Sequence, residues 1–330
     1  MEAAISKDEV EMAEVIRLRC PECGRSKDKR IMELKDSIAG WVYDKDLRDL
    51  LGCFGVAVST EGSFAEYIEE LWQHIQIWDF RKGAERWNIK TDDPRIYENR
   101  LMIEQVSRRL GLLDITDTVI DDPDYILALG GARMTNYNTP LKARQLVDEH
   151  EWKGVSVAGL SAYRPAADRD MPHFEKYAEG ALTEFDAMCG GLEKVFGLGG
   201  YKGTAVCNDD PLLCSETRVY DRSYKGGSIY ALAAPSSEPE KRRADTLDTL
   251  LYFLEGSGAG ENSRMVLTTN SIYVPFQLMK LMDIALERNI MIDCVGVRAK
   301  ERIPEGKHSM YLQEIKATVD AIHGLGWEKL

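Results

Sequence analysis

Apolar residues recur at helical spacing through the first third of the chain. Phe64, Ile68, Leu71 and Ile75 form one stripe, and Leu101, Val106 and Leu110 form another, so residues 44–111 read as mostly helical. Residues 6–19 follow the same pattern, with Val10, Ala13 and Ile16 set among acids, until Cys20-Pro-Glu-Cys-Gly24 breaks it. Trp72, Trp78 and Trp87 are concentrated here, where aromatics at such spacing serve a core. From residue 124 the texture changes. Short β-rich runs appear at Tyr125–Leu129, Gly154–Ala158, Gly203–Cys207, Ser228–Ala233, Met265–Thr269 and Ile290–Val297. Helical patterns lie between them, near 139–149, 181–196, 242–255 and 274–288. Such alternation predicts an α/β fold: a mostly parallel sheet with helices on both faces, preceded by an N-terminal helical region. The expected division is a helical region over 1–120, a ligand-binding sheet domain over 121–300, and a C-terminal helical tail over 301–330 packing on the core.

In such sheets, ligands sit outside the carboxyl ends of the strands. The residues just after each run are therefore the ones to watch. They are Gly130, Gly131 and Arg133; Gly159, Ser161 and Arg164; Asn208, Asp209 and Asp210; Pro235, Ser236 and Ser237; and Thr269, Asn270, Ser271 and Tyr273. Nearly every strand exits into small or polar residues, which predicts one shared polar crevice. The first exit is the most informative. Glycines allow close backbone approach to a ligand, and Thr139-Pro140 opens a helix whose N-terminus favours negative charge. Arg133 adds a forked cation suited to phosphate or carboxylate, and Arg243 is a second candidate of the same kind. This is neither a G-x-G-x-x-G fingerprint nor a Walker loop, because no Gly-Lys-Ser/Thr follows. Thr246 and Thr249 fall near a helix start, where hydroxyls either cap the helix or reach a ligand; capping suits at least one of them.

Bulk composition narrows the classes of function. The apolar content of 44% and charged content of 29% are those of a globular protein with a full core. A net charge of −13 argues against a nucleic-acid surface. No run approaches the roughly 18 apolar residues of a membrane span, and the N-terminus lacks a signal-peptide core, so a cytoplasmic protein is expected. Seven scattered cysteines predict reduced thiols rather than a disulfide framework. Cys20-Pro-Glu-Cys23 has the knuckle shape of a zinc ribbon, but zinc takes four ligands and no second Cys-x-x-Cys exists. Cys53 is the one further candidate, and the alternatives are a site shared between two subunits or no metal at all. Asn208-Asp209-Asp210 suits either magnesium or a turn, and the following proline favours the turn. The five histidines show no metal-ligand spacing, and no G-x-S-x-G elbow occurs; His173 is the one expected near the crevice.

Four segments together resemble a family. They are Ile126-Leu-Ala-Leu-Gly-Gly-Ala-Arg133, Thr183-Glu-Phe-Asp-Ala-Met188, Arg243-Ala-Asp-Thr-Leu-Asp-Thr249, and the run from Met265 to Gln277. Their order and spacing are similar to the SanA/ElyC/YdcF-type family of bacterial α/β proteins, over roughly residues 124–297. The chain lacks the membrane anchor of some branches and looks more like the soluble, YdcF-like branch. It departs from the pattern where Tyr273 and Gln277 stand in a loop that often carries His and Arg, and where Asp245 replaces the usual Asn. The resemblance implies a Rossmann-like sheet and, for one branch, S-adenosylmethionine binding. It also places an acid at Glu184. Glu184 and Asp186 lie two apart on one helix, so only one of them faces the crevice.

The resulting expectation is a small-molecule-binding protein, an enzyme of group transfer or hydrolysis. Its ligand is S-adenosylmethionine or a nucleotide. Gly130, Gly131, Arg133, Ser161, Arg164, Arg243, Thr246, Thr269 and Asn270 would bind it, and Glu184 and Tyr273 would carry the chemistry. The alternative is a non-catalytic metabolite sensor whose Trp-rich helices engage a partner or a second copy as a homodimer.

Overall fold

In the computed structural model, the described residues are 14–82, 91–297 and 302–326. Helices α1 (Lys27–Val42), α2 (Lys45–Cys53), α3 (Phe64–Ile75), α4 (Pro94–Glu98) and α5 (Arg100–Arg109) precede the sheet. The rest runs β1 (Tyr125–Leu129), α6 (Thr135–Glu149), β2 (Ser156–Ser161), α7 (Met171–Phe174), α8 (Glu184–Phe196), β3 (Tyr201–Val206), β4 (Ser215–Tyr220), β5 (Ile229–Ala233), α9 (Thr246–Ser257), β6 (Arg264–Asn270), α10 (Val274–Lys280), α11 (Met282–Glu287), β7 (Met291–Val297) and α12 (His308–Gly324). The seven-stranded sheet has the order β3-β4-β5-β2-β1-β6-β7. β5, β2, β1, β6 and β7 pair in parallel; β4 is antiparallel to both its neighbours. This is the α/β fold expected from the alternation, and its parallel part has the Rossmann-like order third-second-first-fourth-fifth.

Strand periodicity divides the apolar side chains between two layers. Leu127, Leu129, Met265, Leu267 and Ile292 face one side, with α1, α2, α3, α5, α9, α10 and α12 contributing to the same core. Ile126, Val157, Val266 and Val295 face the other, covered by Ala143, Leu146 and Val147 of α6 and Phe185, Met188 and Leu192 of α8. The chain therefore switches face between the connection after β1 and the connection after β6. Since β1 and β6 are neighbours, their exits diverge and leave a crevice at the sheet's carboxyl edge. No helix among the described residues is long and apolar enough to cross a membrane.

Several local expectations are corrected. Residues 14–20 are not helical, and residues 6–13 lie outside the described set. The Ile16 N–H instead donates to the Arg109 carbonyl at 2.7 Å, and Arg17 reaches the buried Asp293 carboxylate at 2.5 Å. Long-range bonds thus override the helical pattern. Leu101 is exposed, and the buried stripe of α5 is Ile103 and Val106, continuing to Leu110. Trp78 is buried, Trp72 donates to Asp320 at 3.1 Å, and Trp87 lies outside the described residues. β2 begins two residues later than its apolar run because Gly154 turns at φ +78°, and this puts Gly159 inside the strand. β4 has no clear apolar alternation and is found only in the structure, where it pairs with β5 and β3. At Asn208-Asp209-Asp210 the chain turns: Asp210 accepts from the Leu212 N–H at 2.9 Å, and none of the three residues lines the crevice.

Candidate functional site

The crevice has a volume of about 910 Å³, within the range of small-molecule sites. Gly130, Gly131, Arg133, Ser161, Arg164, Glu184, Arg243, Thr246, Thr269, Asn270 and Tyr273 all line it. The topology brings these residues together from five separate segments. Asn208–Asp210, Ser236, Ser237 and His173 are not among the lining residues. Cys20 and Cys23 lie elsewhere. Cys20 is buried, with its thiol directed at the Ile290 carbonyl at 3.9 Å, and burial pushes its pKa up to about 11. Cys23 points at the Asn262 carbonyl, and Cys53 packs beside Met102. Among the described residues no third ligand joins the knuckle pair. Zinc takes four ligands, so the pair alone does not complete a site.

The glycine turn works differently from its expected role. The Gly130 N–H donates to the Leu160 carbonyl at 2.8 Å, and the Gly131 N–H donates to Asn136 Oδ1 at 2.9 Å. Both are therefore already occupied by the protein. Gly130 is needed for space: a Cβ there would stand 2.8 Å from the Leu160 carbonyl and 3.2 Å from Ser161 Oγ. Helix α6 starts at Thr135, four residues before Thr139-Pro140, so the proline lies inside it. Pro140 has no N–H for the Asn136 carbonyl one turn back. Gly191 of α8 packs directly on that carbonyl, where any Cβ would intrude. Asn136, fully buried, also donates to the Glu184 carbonyl at 3.3 Å, so one side chain ties the turn after β1 to the start of α8. Arg133 sits in the left-handed region at φ +56°, which costs a non-glycine residue about 1 kcal/mol. The Tyr177 hydroxyl fixes it there by donating to its carbonyl at 2.7 Å.

On α8, Glu184 and Asp186 divide the work. Asp186 closes a capping box with Thr183, while Glu184 is only 9% exposed and turns to the crevice. Its Oε1 accepts from Arg164 Nη1 at 2.9 Å. Burial raises the pKa of Glu184, and Arg164 and Arg243 oppose that shift without cancelling it. Such a carboxyl exchanges a proton more readily near neutrality than an ordinary glutamate. On α9 neither threonine caps the helix. Asp245 does so, accepting from the Leu247 and Asp248 N–H groups, because a carboxylate outcompetes a hydroxyl for these donors. Thr246 and Thr249 line the crevice instead.

Among the described residues the lining carries eight cationic side chains, Arg81, Arg133, Arg164, Arg169, Arg242, Arg243, Lys280 and Lys307, against two carboxylates, Glu184 and Asp245. In a chain of net charge −13 this is a pronounced local reversal of sign. Sequence reasoning missed Arg81, Arg169, Lys280 and Lys307, and also Ser309 and Tyr311 of α12. They flank no strand exit in the positions watched, and no local pattern marks them.

Residues 25–111, spanning α1 to α5, match the model of the family described as the Rv3785 N-terminal domain. Over 337 aligned residues, the chain is 24% identical to the uncharacterized protein Rv3785 of Mycobacterium tuberculosis (strain ATCC 25618 / H37Rv) and to the uncharacterized protein Mb3814 of Mycobacterium bovis, covering 93% of each chain. No solved structure matches the chain significantly. These findings overturn the resemblance to the SanA/ElyC/YdcF-type family, since the similarity runs to Rv3785 proteins. The four segments that suggested it are a strand with a glycine turn, two capped helix starts and a strand-to-helix exit, which any doubly wound sheet requires.

Proposed function

We propose that the switch-point crevice binds a phosphate-bearing small molecule of nucleotide size, and that Glu184 exchanges a proton with it in a group-transfer or hydrolytic reaction. The observation that carries this reading is the gathering of eight cationic side chains around one buried carboxyl with a raised pKa. At an effective dielectric of about 20, one unit charge 4 Å from an anion contributes roughly 4 kcal/mol, so a few converging arginines suffice for micromolar affinity. Three hydroxyls support the reading. Ser161, Thr269 and Ser309 are each more than nine-tenths buried and line the crevice, and none has a side-chain hydrogen bond among the described residues. Of these the Ser161 hydroxyl is itself buried without a partner, which is uncommon unless a ligand or water completes it. S-adenosylmethionine is the weaker candidate, because its sulfonium cation meets a lining of the same sign.

Calorimetric titration of the purified chain with ATP, ADP, AMP and S-adenosylmethionine tests the proposal, alongside Arg133→Gly, which removes the guanidinium and relieves the left-handed strain. Wild type should hold a phosphate-bearing nucleotide, and the variant should bind it at least tenfold more weakly. Absence of binding by wild type, or equal binding by both, overturns the reading. Mass spectrometry of the incubated ligand separates an enzyme from a sensor: a sensor returns it unaltered.

A further inference from the structure

Four helices of twelve residues or more bring their first turns to the crevice: α6, α8, α9 and α12. Two of these N-termini are closed by acidic capping boxes, Asp186 with Thr183 on α8 and Asp248 with Asp245 on α9. The other two are not. The residues preceding α6 and α12 are Met134 and Lys307, and neither makes a side-chain cap. At α6 the Thr135 and Tyr137 N–H groups already donate to the Ala132 and Met134 carbonyls at 3.1 Å, and at α12 the Met310 N–H donates to the Lys307 carbonyl at 3.0 Å. What each end offers an anion is therefore the Asn136 N–H on α6, the His308 and Ser309 N–H groups on α12, and the positive end of the helix dipole.

These two open ends differ in origin. α6 packs in the core on one face of the sheet and α12 in the core on the other, so their N-termini reach the crevice from opposite sides. Each has a cation at its mouth, Arg133 just before α6 and Lys307 at the start of α12. Each also has a serine more than nine-tenths buried whose side chain makes no hydrogen bond among the described residues. Ser161 is 5% exposed, and its Oγ lies 3.2 Å from the Cβ position of Gly130, on the α6 side. Ser309, 7% exposed, is the second residue of α12 and lines the crevice.

We infer that the crevice holds two separate anion subsites and that its ligand carries phosphate groups at two positions, one received by α6 with Arg133 and Ser161, the other by α12 with Lys307 and Ser309. This rests on the reading that the crevice takes a phosphate-bearing ligand, and it specifies the ligand as a bisphosphate rather than a monoester.

The test compares the dissociation constants of fructose 6-phosphate and fructose 1,6-bisphosphate by calorimetry at low salt, for wild type, Lys307→Gln and Ser309→Ala. Lys307 is exposed, so its replacement leaves the core intact. The bisphosphate should bind wild type at least tenfold more tightly than the monophosphate. That ratio should fall toward one in Lys307→Gln and fall measurably in Ser309→Ala, with the monophosphate affinity changing less. Equal affinity of wild type for both sugars, or an unchanged ratio in Lys307→Gln, overturns the second subsite while leaving the phosphate reading in place. Failure of wild type to bind either sugar, inorganic phosphate or any of the three nucleotides removes both.

Discussion

Gly191→Ala isolates the contact on which the crevice is built. Helix α8 crosses α6 at Gly191, where an added Cβ would stand 1.9 Å from the Asn136 carbonyl oxygen and 2.9 Å from its carbon. Carbon–oxygen contacts settle at about 3.3–3.6 Å, so the helices must separate by roughly 1.5 Å. The obstacle is backbone and has no rotamer to change. Overpacking of this kind costs about 3 kcal/mol, at the upper end of the usual range. Alanine recovers about 1 kcal/mol of helix propensity over glycine. The net loss is about 2 kcal/mol, roughly thirtyfold in the folding equilibrium. Separation also stretches the 3.3 Å bond from Asn136 to the Glu184 carbonyl, so ligand affinity should fall in the same variant. Gly40→Ala and Gly52→Ala are the controls. Both sit in helices, and a Cβ at either meets nothing within 4 Å. Each should stabilise the fold by about 0.5–1 kcal/mol. Urea unfolding followed by circular dichroism and tryptophan fluorescence reads all three. A Gly191→Ala protein as stable as wild type would refute the argument.

Three further outcomes are expected. The raised pKa of Glu184 means the folded chain keeps that proton to higher pH than the unfolded chain does, so its stabilising contribution is present at acid pH and lost as pH rises through the folded value. Glu184→Gln should therefore raise the melting temperature at pH 7, and the gain should shrink as the pH falls to ordinary glutamate values; a lower melting temperature at pH 7 contradicts this. Arg30, 1% exposed, donates to the carbonyls of Ala285 at 3.0 Å and Ile290 at 2.6 Å, tying α1 to the segment before β7. Arg30→Met should cost about 3 kcal/mol in denaturant unfolding, and a loss under 1 kcal/mol would count against it. Asp293, 3% exposed, accepts from Arg17 at 2.5 Å, Thr118 Oγ1 at 2.6 Å and the Val119 N–H at 2.9 Å. Asp293→Asn removes the charge that balances Arg17 and should destabilise by about 3 kcal/mol, with rapid hydrogen exchange at Val119 as the local sign.

Much of the sheet was legible because its signals are local. Tyr125–Leu129 is a buried apolar run ended by glycines, and periodicity needs no partner to be read. The rule that ligands gather at strand carboxyl ends then singled out Arg133, Ser161, Arg164 and Asn270, which the structure brings to one crevice. Helix starts were legible in type more than in position. Thr139-Pro140 looked like an N-terminus, yet the chain turns into α6 at Thr135, where Asn136 is claimed by Gly131 and Glu184. The family resemblance failed for a related reason: strand, turn and capped helix are demanded by the fold, whatever the lineage.

By itself, then, the order of apolar and polar residues determined the alternating elements, the two-faced parallel sheet and the edge at which small polar residues emerge, since each follows from contacts a few residues apart. Only the tertiary structure decided that β4 inserts antiparallel beside β5, that Asn136 rather than a ligand takes the Gly131 N–H, and that the first turns of α12 and α6 line one crevice. Those outcomes join residues tens to more than a hundred and fifty positions apart or turn on a single close contact, and they depend on which surfaces pack once the sheet has formed, a competition among long-range contacts that no short window of sequence records.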